Sequence, residues 1–217
     1  MKHGKIFHNG YLMLTSLLIM MAFIAISCAN NTNESADDPG YKITFDDSGN
    51  KIVTVKEGIG HFSMIYPSDF VLGVIKIDNS GGIESLSVDF IGPMTDVGLP
   101  LISIDVSDYY DSFPAKSAAD SLLNQARKYN NFKLLDESTI SVAGVTAYQH
   151  SYYYDTYPYD PHIIPPEDAT LITWLFRRVF FDYIEFSYTL RLGSDPSREE
   201  QDMAAFDRIL ETFKILD

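Results

Sequence analysis

The sequence predicts an α+β domain, a mainly antiparallel β-sheet flanked by helices, and three stretches carry that expectation. Within residues 83–91, Leu86, Val88 and Phe90 alternate with Ser85, Ser87 and Asp89, the period of a strand with one buried face. Ile184, Phe186, Tyr188 and Leu190 alternate in the same way with Glu185, Ser187, Thr189 and Arg191. Phe206, Ile209, Leu210 and Phe213 recur at three- and four-residue spacing, an apolar helical stripe. Such a stripe must pack on a sheet, because an isolated helix of this length is marginal in water.

The other elements follow in chain order. Residues 41–45 and 51–55 flank Asp46-Asp47-Ser48-Gly49-Asn50, a turn-rich linker that predicts a hairpin. Strands are expected over 61–66, closed by Pro67-Ser68-Asp69, and over 71–77, before an Asn79-Ser80-Gly81-Gly82 turn. A further strand is expected over 101–106. Pro114 suits the first turn of a helix, and Ala119, Leu122, Leu123 and Ala126 give that helix an apolar side. Residues 132–141 and 145–154 read as strands around Ala143-Gly144, and 171–181 and 182–191 as the last pair. Ser194-Asp195-Pro196 opens the final helix, with a capping side chain ahead of a proline.

The N-terminus specifies an address. Lys2 and Lys5 precede an apolar run from Tyr11 to Ile26, and Ala25, Ile26 and Ser27 lead into Cys28. This charged, apolar and small-residue order is that of a secretory signal. Ala25-Ile26-Ser27-Cys28 resembles the lipobox of bacterial lipoproteins, whose most typical form has Leu where Ala25 stands. The resemblance implies cleavage before Cys28, with diacylglycerol on its thiol and a fatty acid on the new amine. Two or more acyl chains anchor stably where one is marginal. The expected place is therefore the outer face of the plasma membrane, or the outer membrane of a Gram-negative host, since Ala29 is not Asp. Residues 28–40 then form a polar, flexible tether, and 41–217 the folded domain. Cys28 is the only cysteine, so no disulfide or thiolate metal cluster is available.

Hydrophobic residues make up 46% and aromatics 13% of the chain, which places the mature part among folded domains. The formal net charge is −14, and a mature chain without Lys2 and Lys5 would carry −16. A body this acidic is repelled by phosphate backbones and anionic headgroups, so nucleic acid is not an expected partner. The acids are scattered, as solubility alone would have them.

The elements also resemble a known family in their order. Phe62-Ser63-Met64-Ile65-Tyr66-Pro67-Ser68-Asp69-Phe70 looks like the opening strand of the PsbP-like fold, and Val88-Asp89-Phe90 with Leu101-Ile102-Ser103-Ile104 like its paired middle strands. Gly144 with Ala147-Tyr148 looks like its glycine turn, and residues 206–214 like its closing helix. The family is named for an extrinsic photosystem II subunit and is common among bacterial lipoproteins. The resemblance implies a PsbP-like sandwich with a non-enzymatic binding or assembly role, and it brings no catalytic residues with it.

The chain carries no G-x-S-x-G elbow, H-E-x-x-H helix or glycine-rich phosphate loop, so no enzyme is expected. No cofactor is expected beyond the lipid on Cys28. Residues 149–168 are the one chemical constellation. His150, Asp155, Asp160 and His162 are candidate ligands for a divalent ion, since neutral imidazole and carboxylate suit zinc or manganese. Tyr157, Tyr159, Ile163 and Ile164, in the same proline-rich stretch, are candidate anchors for an envelope protein. Arg177-Arg178 can pair with nearby acids, and a surface ion pair carries little energetic weight.

Overall fold

A computed structural model describes residues 40–216 apart from 57, 80–82, 97, 109–113 and 157–170. Residues 1–39, which hold the expected signal peptide, Cys28 and most of the expected tether, lie outside the described residues, as do Tyr157, Tyr159, Asp160, His162, Ile163 and Ile164. The remainder is α+β with two antiparallel sheets. The small sheet has the order β1-β2-β3-β11, with β1 Tyr41–Phe45, β2 Lys51–Val55, β3 Phe62–Tyr66 and β11 Lys214–Ile215. The large sheet has the order β4-β5-β6-β10-β9-β8-β7. Its strands are β4 Val71–Asp78, β5 Ser85–Ile91, β6 Leu101–Ser107, β7 Lys133–Val142, β8 Val145–Thr156, β9 Ile172–Tyr183 and β10 Phe186–Ser194. Helix α1 is Ala115–Ala126 and α2 is Glu199–Thr212.

Strand alternation gives the large sheet two unlike faces. The inner face places Leu86, Val88, Phe90, Ile104, Leu190 and Val179 in one core with Val53 and Phe62 of the small sheet and Phe206 and Ile209 of α2. Phe213 stacks on Phe62 at 5.2 Å and meets Phe181 edge-on at 5.8 Å. Full burial of one such side chain contributes about 1.5–3 kcal/mol. Helix α1 lies on the outer face, where Ala119 meets Phe180, and Leu123 and Ala126 meet Tyr152 and Tyr154. The first amide of α1 is capped from the sheet, since Ala115 N–H donates to Asp182 Oδ2 at 2.8 Å. No helix among the described residues is long and apolar enough to cross a membrane.

Two expectations are corrected, and one element is new. Ile184 does not join Phe186, Tyr188 and Leu190 on a strand face. Tyr183 pairs with Phe186, which puts Ile184 in the hairpin turn, 69% exposed and with φ of 56°. Phe213 keeps its place in the core but lies beyond the helix, in extended conformation as the C-cap of α2. The next two residues form β11 on the edge of the small sheet, which the sequence pattern does not announce.

The start of α2 follows the expected chemistry with a 3₁₀ turn, Pro196–Arg198, inserted before it. Asp195 Oδ1 accepts from Ser197 N–H at 2.8 Å. Buried Asp202 accepts from Ser194 Oγ at 2.6 Å and from Arg198, which also reaches Asp69 at 2.8 Å. Burial pushes the Asp195 carboxyl up, but hydrogen bonds from Ser197 and Thr95 outweigh it and hold the group below its ordinary 3.8. A carboxyl lowered by folding stabilises the fold above its unfolded value and loses that contribution as pH falls through the folded one. Asp195→Ala should therefore cost about 1 kcal/mol at neutral pH, and the gap from wild type should close on acidification below pH 4. Urea unfolding across that range measures both.

Candidate functional site

The outer face of the large sheet holds a pocket whose floor is set by one residue. Gly193 on β10 lies between Phe176 of β9 and Leu101 of β6 in the strand register. With no side chain on Gly193, the two flanking side chains bound a gap. A Cβ added there would meet only Phe176, at 3.7 Å. A strand glycine of this kind often marks close approach by a ligand or another backbone. The next register row carries Arg178, Arg191 and Ser103. Together with Leu99 and Trp174 these residues line a pocket of about 80 Å³. Phe176 is backed by Tyr154, stacked on it at 4.3 Å, and Tyr154 in turn by Tyr129 at 4.5 Å.

The polar atoms in this pocket are unusual. Trp174 Nε1, Arg178 Nε and Arg191 Nε are all buried without a hydrogen-bond acceptor among the described residues. A buried donor left unmatched costs about 1–3 kcal/mol, and native structures hold few. Arg178 and Arg191 also face each other directly across β9 and β10, a like-charge arrangement that is unfavourable by itself. Arg191 is relieved by Asp105 at 2.8 Å. Arg178 forms no ion pair with a described carboxylate.

Adjacent Arg177 has a different fate, because successive strand residues point to opposite faces. It is buried on the inner face and donates Nε and Nη2 to Gln149 Oε1 at 2.9 and 2.7 Å, and Nη1 to Asp207 at 2.6 Å. Gln149 Nε2 donates onward to Asp136 at 2.8 Å, and the guanidinium lies 5.4 Å from the Phe206 ring centre. Arg177 thus pairs with an acid as expected, but from a buried position where it ties α2 to the sheet, while Arg178 faces the pocket.

His150 of β8 lies beside Arg178 on the outer face and is 3% exposed. Burial pushes its pKa down, which favours the neutral imidazole. It forms no hydrogen bond with a described residue. Glu137 is its direct cross-strand partner on β7, and Asp120 comes from α1. One ligand atom from each of the three lies within 4.8 Å of the others. The structure does not bring Asp155 to this group. Asp155 lies five residues along the same strand, about 16 Å away, with its side chain on the opposite face, accepting from Asn131 at 2.5 Å and Thr173 at 2.7 Å.

A second, more open groove of about 200 Å³ lies beside the β9–β10 turn, lined by exposed Ile184 and buried Tyr188 among others. The Tyr188 hydroxyl is buried without a partner among the described residues, and burial pushes it up to about 12.

No family model matches this chain, and no curated protein matches it. Among solved structures, it is similar to a crystal structure of LpqN, involved in cell envelope biogenesis of Mycobacterium tuberculosis, at 16% identity and a TM-score of 0.49, covering 87% of this chain and 100% of that one. It is also similar to the solution structure of cyanobacterial PsbP from Synechocystis, at 11% identity and a TM-score of 0.44, covering 86% and 99%. Similarities this distant transfer no role to this chain.

Removing Arg177 should loosen the attachment of α2. Arg177→Met should cost about 1.5–3 kcal/mol, the range for hydrogen bonds to a charged group. In a Gln149→Leu background the same change should cost less, because the two side chains share one network. Urea denaturation of the four proteins in this cycle measures the coupling.

Proposed function

We propose that this chain is a lipid-anchored, extracytoplasmic binding module without enzymatic activity, and that it holds its ligand in the Trp174–Arg178–Arg191 pocket. One observation carries the binding half of this reading: three buried donors without acceptors among the described residues line a single pocket whose floor is a glycine. A pocket with a few directed polar groups among apolar walls is the usual form of a ligand site. The anchoring half rests on the signal-like N-terminus and the lipobox resemblance at Cys28. An envelope protein is the expected partner, either through the pocket or through Tyr157, Tyr159, Ile163 and Ile164.

Both halves are testable in the host. Labelled palmitate supplied to the host should enter the wild type and not Cys28→Ser, and a wild type without label would remove the lipid anchor. Native mass spectrometry of the chain purified from its own membranes in mild detergent should show a bound mass. Gly193→Val, whose Cβ fits without collision, should abolish it. Equal occupancy in the two proteins would show that the ligand sits elsewhere.

A second reading, as a divalent-metal binder, draws on the Asp120–Glu137–His150 group. Zinc bonds of about 2.1 Å place neighbouring ligand atoms about 3.5 Å apart, so Asp120 and Glu137 need close by only about an ångström onto fixed His150. Two salt bridges would have to yield, Lys116–Asp120 at 2.8 Å and Arg127–Glu137 at 3.8 Å. Both are exposed and therefore weak. Zinc or manganese should raise the melting temperature of the wild type, as any ligand of the folded state does, and should leave His150→Phe unchanged. A wild type indifferent to millimolar metal would exclude this reading.

A further inference from the structure

Three features of the pocket bear on the chemical class of its ligand. Its unmatched groups are all donors: an indole N–H and the Nε–H of two guanidinium groups. Two of the three belong to permanent cations. Those two arginines stand opposite each other in adjacent strands, and only Arg191 forms an ion pair with a described carboxylate. A neutral acceptor would satisfy the N–H groups and leave the repulsion between the arginines in place. An anion placed between them would satisfy the donors and reverse the sign of that interaction. The flat, forked guanidinium matches the paired oxygens of a carboxylate or phosphate.

Size and surroundings narrow the class further. The pocket has room for a small group only, and Phe176, Leu99 and Leu101 provide apolar wall on its other side. The acidic body of the protein, with a net charge of −14, repels extended polyanions before they can dock.

We propose that the pocket binds a compact oxyanion, a carboxylate or phosphate monoester, held by Arg178, Arg191 and the indole N–H of Trp174, with an apolar arm against Phe176 and Leu101. This rests on the reading of the pocket as the ligand site. The site adjoins the Asp120–Glu137–His150 group, His150 being the cross-strand neighbour of Arg178, and it needs no metal.

Trp174 is the only tryptophan in the chain, so its fluorescence, excited at wavelengths where tyrosine is silent, reports on this pocket alone. The probes are benzoate, phenyl phosphate, inorganic phosphate and neutral benzamide, titrated into the purified full chain in detergent. Benzoate or phenyl phosphate should shift the Trp174 emission saturably and raise the melting temperature. Benzamide should do neither at the same concentration. Inorganic phosphate should act only at higher concentration, because it lacks the apolar arm; equal potency would remove the arm from the proposal. Arg178→Gln and Arg191→Gln should each weaken binding at least tenfold. Both relieve a like-charge contact, so the fold should survive, and circular dichroism checks that. Gly193→Val should block all probes while keeping both arginines.

Benzamide binding as tightly as benzoate, or Arg178→Gln binding benzoate as the wild type does, would overturn the oxyanion while leaving the pocket as a ligand site. Silence from every anionic probe beside a native bound mass that Gly193→Val removes would do the same. Silence from every probe together with a bound mass indifferent to Gly193→Val would remove the pocket reading itself.

Discussion

The large sheet has to satisfy two different environments with one strand period. Every second side chain points to the same face, so strands β5, β6, β9 and β10 must carry an apolar set inward and a separate set outward along their whole length. The inward set is matched by the small sheet and α2. Among the described residues the outward set has only α1, a helix of 12 residues and therefore about 18 Å long. Seven strands at about 4.8 Å spacing are considerably wider than one helix. Helix α1 accordingly covers β8 and β9, where the outward side chains are Tyr148, Tyr152, Tyr154 and Phe180. Towards β6 and β5 the outward set turns polar, as in the Ser87–Asp105 hydrogen bond at 2.7 Å and the Arg191–Asp105 pair. The pocket sits where the aromatic cover gives way to the polar set. Groups there are buried enough to lose water and open enough to meet a ligand.

Much of this architecture is legible in the sequence because period and turn chemistry are local properties. The alternation around Leu86, Val88 and Phe90 and the glycine at 144 report strands and a hairpin directly. Ala143 and Gly144 both take positive φ, as a two-residue hairpin turn prefers. Ile184 marks the limit of such reading. Its apolar side chain fits the alternating set, yet the Tyr183–Phe186 pairing puts it in the turn, in a backbone region that a β-branched residue rarely adopts. The division into two sheets and the addition of β11 are equally invisible locally, since they follow from which strands meet across the core. Phe213 shows both sides of the matter: its burial is readable from spacing, whereas the end of the helix just before it depends on where the chain must go to pair with β3.

The site is less legible, for a related reason. His150 draws attention in the sequence, but its neighbours there are chain neighbours. The groups that approach it are Glu137, across a hairpin, and Asp120, from a helix thirty residues earlier. Asp155 looks suitable by proximity in sequence and is disqualified by parity, an odd separation along a strand putting the two side chains on opposite faces. The same parity separates Arg177 from Arg178. With Leu175, Val179 and Phe181 as an inward set, that separation follows from residue numbers alone. The role of Gly193 does not, because an unfilled position becomes a pocket only when its cross-strand neighbours are known.

The charge of the whole chain and the charge of the pocket act over different distances, and this bears on what such a module can select. At physiological salt an exposed charge is felt over about 8 Å. The scattered acids therefore set the potential met by an approaching molecule, and they penalise large anions in proportion to the number of charges presented. Arg178 and Arg191 act only at contact, where partial burial weakens screening and directed N–H groups add geometric demand. A molecule with a single anionic head meets little of the repulsion and all of the contact attraction. A nucleic acid or an anionic bilayer meets the reverse balance. An acidic protein with a basic cleft is therefore no contradiction: the two signs together favour small anions over large ones, a discrimination that neither the surface nor the pocket would achieve alone.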